Sequence, residues 1–240
     1  MKQYDLTAFE KGLRDLNITL TDGQKEQFLQ YYELLTEWNS FMNLTAITEF
    51  QEVVVKHFLD SLSLIKAEVF TGRGTLIDVG TGAGFPGIPL KIAFPELEVT
   101  LLDSLNKRVK FLNEVTGALG LQKITALHGR AEDFGKKKEY REAYDFCVSR
   151  AVANLSSLSE YCLPFVKVGG CFISYKSGKI EEEKKQAEKA VSLLGGAFRE
   201  TVCFHLADTD MERALCMIEK KRPTPGKYPR KAGTPVKEPL

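Results

Sequence analysis

An apolar run, Leu76-Ile77-Asp78-Val79, stops at Gly80-Thr81-Gly82-Ala83-Gly84-Phe85-Pro86-Gly87, and a second apolar run closes at Leu102-Asp103, nineteen residues beyond Gly84. Strand-forming residues that run into glycines at alternate positions, then a helix, then another strand, predict a parallel β-α-β unit. Glycines let a ligand lie against the backbone, because a Cβ there would collide with it. An acid at the tip of the second strand is placed to accept hydrogen bonds from a ribose diol. Together they predict a nucleoside-containing cofactor laid across the carboxyl ends of two parallel strands.

The loop fits two templates. Gly82-Ala83-Gly84-Phe85-Pro86-Gly87 matches the G-x-G-x-x-G of dinucleotide binders. Asp78-Val79-Gly80-Thr81-Gly82-Ala83-Gly84 matches the first motif of S-adenosylmethionine-dependent methyltransferases. Asp78 favours the second template. A carboxylate at the end of the first strand suits the ammonium of a methionine moiety, directly or through water, and suits a pyrophosphate poorly. A tight turn with no ligand is the remaining reading.

The rest of the chain predicts an α/β protein with a Rossmann-like, doubly wound parallel sheet, a C-terminal antiparallel hairpin and an N-terminal helical cap. Phe9, Leu13 and Leu16, then Phe28, Tyr31, Tyr32, Leu35, Trp38 and Met42, repeat at helical spacing, with Thr21-Asp22 as a start signal. A third helical segment spans 49–68. From Thr75 the pattern alternates: strands over 75–80, 98–103, 123–128, 144–149 and 170–176, helices over 86–93, 106–119, 154–163 and 180–194. Two further strands, 197–206 and 213–220, follow each other without a helix and predict the hairpin. The expected division is a cap over 1–72, a methyltransferase domain over 73–221 and a tail over 222–240.

No apolar stretch approaches the ~20 residues that span a bilayer, and the N-terminus lacks the apolar segment of a signal peptide, so a cytoplasmic protein is expected. Five cysteines without C-x-x-C spacing and three scattered histidines predict neither disulfide nor metal site. A net charge of +1 conceals a gradient. Residues 1–72 sum to −5 and residues 73–219 to zero. Residues 220–240 sum to +6 and hold five of the nine prolines. A basic, proline-rich end is expected to lie on the surface, available to an anionic partner.

Polar groups gather beyond the expected strands: Asp103 after the second, Arg130-Ala131-Glu132 after the third, Ser149-Arg150-Ala151 after the fourth, Lys176-Ser177-Gly178-Lys179 after the fifth. An acid beyond the third strand can meet an adenine amino group. The Asp/Asn-Pro-Pro-aromatic motif of exocyclic-amine methylation is absent after the fourth strand. Cys147 and Cys162, in a strand and a helix, do not suit the nucleophile of pyrimidine C5 methylation. A ring nitrogen such as guanine N7 needs no deprotonation, so alignment and desolvation suffice.

Asn43-Leu44-Thr45, His57-Phe58-Leu59-Asp60-Ser61-Leu62, the run from Asp78 to Pro89, Leu102-Asp103-Ser104-Leu105-Asn106-Lys107-Arg108 and Ser149-Arg150-Ala151 closely resemble the GidB/RsmG family of bacterial methyltransferases acting on guanine N7 of small-subunit ribosomal RNA. The match runs over nearly the whole chain. It implies a Rossmann-like fold with an N-terminal helical cap, S-adenosylmethionine as cofactor and 16S rRNA or the small ribosomal subunit as partner. By motif position it implies cofactor contacts from Gly80, Phe85, Ala131, Glu132 and Arg150, beside Gly82, Gly84 and Asp103 from the loop and ribose arguments. Some relatives have Leu at Phe85 and Val at Ala131; both changes preserve apolar or backbone contact.

Arg150 is the expected catalytic residue, holding the methionine carboxylate, the base or an RNA phosphate; the alternative is a structural ion pair. His57 and Asp60 share a helix face, either at the RNA or cofactor or in a packing hydrogen bond. Lys136-Lys137-Lys138 reads as a solvated turn. RNA contacts are expected from Lys176, Arg222, Lys227, Tyr228, Arg230 and Lys231, cations beside an aromatic and rigid prolines. A monomer is expected. Two other functions stay open: a non-catalytic RNA-binding assembly factor with a cofactor pocket, and an NAD(P)-dependent oxidoreductase.

Overall fold

The computed structural model describes residues 4–150, 153–178, 180–207 and 209–240. Its N-terminal part is helical: α1 (Thr7–Asp15), α2 (Asp22–Met42), and a composite segment of α3 (Phe50–Val53), a π-wound stretch (Val54–Leu59), α4 (Asp60–Leu62) and a tight turn (Ser63–Lys66). Helix α2 starts where Thr21 Oγ1 accepts from the Gln24 amide and the Gln24 side chain accepts from the Thr21 amide, a reciprocal capping box. Its apolar face packs Phe28 on Phe9 and on Phe58 (ring centroids 5.0 Å apart in each case), and Tyr31 on Phe85 of the glycine loop at 5.3 Å. Phe9, Phe28, Tyr31 and Phe58 are fully buried, each contributing roughly 1.5–3 kcal/mol. The Gln24 and Gln27 side chains donate to Ile92 O and Leu119 O at 2.7 and 2.8 Å, tying α2 to the next layer.

That layer alternates strands and helices: β1 (Gly74–Val79), α5 (Gly87–Ala93), β2 (Leu97–Asp103), α6 (Asn106–Ala118), β3 (Ile124–His128), α7 (Ala131–Phe134), β4 (Tyr144–Arg150), α8 (Leu155–Cys162), β5 (Val166–Ser177), α9 (Glu181–Leu193), β6 (Gly196–Phe198), β7 (Val202–His205) and β8 (Glu212–Lys220), with α10 (Thr234–Lys237) near the end. The sheet order is β3-β2-β1-β4-β5-β8-β6, with β7 also on β8. Strands β1 to β5 are parallel; β8 runs antiparallel to β5, and β6 and β7 antiparallel to β8. Strand order reverses between β1 and β4, opening a crevice at their carboxyl ends. The expected strand 197–206 is broken. Gly196–Phe198 pairs with one end of β8 and Val202–His205 with the other, because nine-residue β8 is long enough to hold both.

One apolar core fills the face between the sheet and the N-terminal helices, and a second fills the opposite face under α8 and α9. Cys147, Cys162, Cys171 and Cys216 are buried free thiols and Cys203 is exposed. No helix among the described residues is long and apolar enough to cross a membrane. The tail, expected to lie on the surface and stay available to an anionic partner, is tied down in part. Arg141 donates to Gly135 O, Thr224 O and Tyr228 O, Ser157 Oγ to Pro235 O, and Tyr228 is 6% exposed. Composition hid this because several of the tail's anchors are main-chain carbonyls, and the side chains that meet it come from residues far away in the chain.

Candidate active site

Beyond the carboxyl ends of β1, β2 and β4 lies a cavity of about 870 Å³, and a smaller one of about 330 Å³ adjoins it toward β3. Gly80 and Ser104 line both, so they form one trough. The glycine loop is its floor, held down by the Gly80 and Thr81 amides, which donate to Leu102 O at 2.8 and 3.2 Å.

The loop's glycines act differently. A Cβ on Gly82 would meet no atom within 4 Å, so that backbone is bare toward open space. A Cβ on Gly84 would come 2.5 Å from Ile88 and 2.7 Å from the Tyr31 hydroxyl. Gly84 therefore permits helix packing and does not line the trough, which corrects its expected cofactor contact. Asp78 is likewise turned inward. Its Oδ2 accepts from Thr81 Oγ1 (2.6 Å) and the Gly87 amide (2.8 Å), its Oδ1 has no hydrogen-bond partner among the described residues, and burial raises its pKa to about 6. It braces the loop from below and lines neither cavity. Asp103 does line the trough; Oδ2 accepts from the Gly82 amide at 2.9 Å and Arg108 at 3.4 Å, and Oδ1 from the Leu105 amide at 2.9 Å. A carboxylate accepts about four hydrogen bonds, so Oδ1 keeps room for another donor.

A charged cluster forms the opposite wall. Asp60, 3% exposed, receives Arg150 Nη1 on Oδ2 at 2.8 Å and Arg213 Nε on Oδ1 at 2.9 Å. Arg150 also donates to Lys56 O (3.3 Å), a carbonyl of the π-wound stretch, and its Nη2 lies 3.3 Å from His57 Nδ1. His57 Nδ1 also stands 3.2 Å from the Lys56 carbonyl, and Nε2 lies 2.9 Å from Thr45 Oγ1 on the other side of the ring. Burial, then the Arg150 charge, lowers the His57 pKa to about 4, so the ring is neutral at physiological pH. Phe85 carries both groups: His57 stacks on it at 4.5 Å and Arg150 lies over it at 5.2 Å. Lys56, Arg108, Arg150, Lys176 and Arg213 line this cavity against Asp60, Asp103 and Glu183, a cationic excess. The smaller pocket is more apolar, walled by Val79, Leu102, Ala131, Tyr161 and Val236 with Glu132 among them.

The family pattern of GidB, rRNA small subunit methyltransferase G, matches residues 24–215. The chain belongs to the GidB family. Proteins named ribosomal RNA small subunit methyltransferase G from Lachnoclostridium phytofermentans and Alkaliphilus metalliredigens are 59% and 54% identical to it over 236 and 229 residues. These alignments cover 98% and 95% of this chain and 98% and 96% of theirs. A solved structure of M. jannaschii TYW2 in complex with AdoMet superposes with a TM-score of 0.51 at 13% identity, over 67% of this chain and 76% of that one. That likeness is one of fold: a Rossmann-like methyltransferase sheet.

Within this GidB-family chain, Gly80, Gly82, Phe85, Asp103 and Arg150 meet in the larger cavity and Ala131 and Glu132 in the smaller. Ala151 and Lys179, part of the quoted motifs, lie outside the described residues. The expected RNA contacts are mostly engaged elsewhere. Lys176 donates to Ala153 O and Glu183, Arg222 to Ser192 O, and Arg230 is paired in bidentate fashion with the fully buried Glu160. Tyr228 is buried and cannot stack a base. Lys220, counted in the basic tail, is fully buried against Leu163 O and Thr224 Oγ1. Lys227 and Lys231 are exposed. Sequence reasoning missed Arg213, whose signal was a lone cation opening the apolar run Ala214-Leu215-Cys216-Met217-Ile218.

Proposed function

We infer that the protein transfers a methyl group from S-adenosylmethionine to N7 of a guanine in the 16S RNA of the small ribosomal subunit. The continuous trough over the glycine loop, in a chain of the GidB family, carries this reading. The names of the relatives support the substrate class. The residues fit the cofactor: Gly82 offers bare backbone, Asp103 keeps acceptor capacity for a ribose hydroxyl, and Gly80, Phe85, Ala131 and Glu132 line the remainder. When bound, S-adenosylmethionine supplies an electrophilic methyl carbon on a sulfonium.

Guanine N7 carries its lone pair in the plane of the base, so no residue has to remove a proton. A neutral His57 with a pKa of about 4, a weak base, accords with this. Arg150 is the catalytic residue. Its bonds to Asp60, Lys56 O and His57 leave further N–H donors of the five on a guanidinium, and these orient the oxygen-bearing edge of the base. Asp60 fixes Arg150 and offsets one of the two guanidinium charges beside a base that becomes cationic. Phe85 excludes water behind them. Lys56, Arg108 and Arg213 at the cavity, with Lys227 and Lys231 on the tail, attract backbone phosphates. The protein acts as a cytoplasmic monomer without a metal, residues 1–72 capping the catalytic domain at 73–221.

The test is transfer of labelled methyl from S-adenosylmethionine to unmethylated small subunits, with Arg150→Ala as comparison. Transfer by the unaltered protein and a loss of about 100-fold in the variant is expected. RNA binding without transfer would establish the assembly-factor function instead.

A further inference from the structure

The C-terminal segment 228–237 crosses the smaller cavity as a strap, and nothing in its basic composition explains how firmly it is held. Arg230 donates from Nε (3.0 and 3.1 Å) and Nη2 (2.7 Å) to Glu160, and its amide donates to Glu160 Oε1 at 2.7 Å. Glu160 is fully buried in α8. On the far side Ser157 Oγ donates to Pro235 O at 2.6 Å. Between these anchors Gly233, at φ +82°, turns its amide onto Glu132 Oε1 at 2.8 Å. Glu132 is 5% exposed, and its Oε2 has no protein donor among the described residues.

Val236 is the odd side chain of the strap. It is 55% exposed, yet it lines the same cavity as Val79, Leu102, Ala131 and Tyr161. About 330 Å³ lies at the lower end of ligand pockets, the scale of a single heterocyclic base. The cavity joins the larger one through Gly80 and Ser104, so a base there belongs to a ligand whose other end lies over the glycine loop. Burial beside Glu132 and Glu160 raises the Tyr161 pKa to about 12, so its hydroxyl stays protonated and can donate.

We propose that this strap is the outer wall of the adenine pocket: Val236 closes over the base, and the Gly233 amide holds the Glu132 carboxylate so that Oε2 faces the adenine amino group. The ligand rests on the methyltransferase reading above; the wall is additional to it. The strap then serves the cofactor, and its cations reach the RNA only by lying outside that wall. Arg230 and Gly233 are positioning residues, and Val236 touches the ligand.

The experiment titrates S-adenosylhomocysteine, and separately adenosine, into the full-length chain by calorimetry, alongside Val236→Ala, Val236→Asp and a form ending after Lys231. Val236 is exposed, so its substitutions leave the melting temperature unchanged, which circular dichroism checks. Val236→Ala should weaken S-adenosylhomocysteine roughly threefold and Val236→Asp tenfold or more. Adenosine should lose by the same factors, because the strap meets only the base. Affinities of folded Val236→Asp and of the shortened form within twofold of the unaltered protein would overturn the proposal. Failure of the unaltered protein to bind S-adenosylhomocysteine would instead refute the methyltransferase reading, and the strap's ligand with it.

Discussion

Removing the Asp60 carboxylate tests the charged wall of the trough. Two guanidiniums share it at 2.8 and 2.9 Å, the Asp60 side chain is 4% exposed, and those of Arg150 and Arg213 are 15% and 24% exposed. Each charge-assisted hydrogen bond is worth about 1.5–3 kcal/mol. Both cations keep some access to water and rehydrate in part when freed, so Asp60→Ala should cost about 3 kcal/mol rather than the full sum. For a chain of this size that lowers the melting temperature by roughly 6–12 °C. The same change unfastens Arg150 from its place over Phe85, and a misplacement of about 1 Å costs on the order of 100-fold in turnover. Cofactor affinity should move far less, because among the described residues the Asp60 carboxylate bonds to Arg150 and Arg213 and not to the glycine loop. The assays are thermal and urea unfolding, calorimetry with S-adenosylhomocysteine, and methyl transfer under saturating substrates. An Asp60→Ala protein that melts within 2 °C of the parent and turns over normally would refute the argument.

Arg150→Ala should raise the His57 pKa from about 4, yet not to the ordinary value, since burial is the larger cause; an unchanged imidazole titration by NMR would contradict the contact. Asp78, with its pKa raised to about 6, is protonated in the folded state between pH 4 and 6 where the unfolded chain has ionised. Its stabilising contribution is therefore present near pH 4 and lost as pH rises through 6. Relative to Asp78→Asn, the parent should lose up to about 3 kcal/mol over that interval, and parallel stability curves would dismiss the assignment. Gly84→Ala should destabilise by about 2–3 kcal/mol, because its methyl meets Ile88 and Tyr31 at positive φ. Gly82→Ala, whose methyl enters open space, should cost only about 1–2 kcal/mol of stability while weakening S-adenosylhomocysteine binding; equal effects of the two on both readouts would void the distinction.

The β1–loop–β2 unit was legible because its signals are local: β-branched and leucine runs, glycines at fixed spacing, an acid at the strand tip. The same local reading started the fifth strand at residue 170, whereas β5 begins four residues earlier and spans Val166–Ser177, with Gly169 and Gly170 both inside it. It also missed the break between β6 and β7, which the length of their shared partner β8 decides. The π-wound turn at Val54–Leu59 belongs to the same class. One of its carbonyls, Lys56 O, meets Arg150, 94 residues away. Arg213 reaches Asp60 across 153 residues, a separation that no periodicity spans. The tail shows the limit of charge counting most sharply. Arg230 reads as a phosphate ligand until Glu160, the one charged residue of the buried helix α8, is seen to need a cation. Asp78 erred the other way: its residue type suits an ammonium, but a strand-end position one residue earlier in the pleat turns it beneath the loop.

The most direct measurement incubates the purified protein with methyl-labelled S-adenosylmethionine and small subunits lacking the modification, then digests the RNA to nucleosides and maps the label. The account predicts label in N7-methylguanosine at a single 16S position, lost with Arg150→Ala. Label in another nucleoside, or none from a protein that binds S-adenosylhomocysteine, would contradict it.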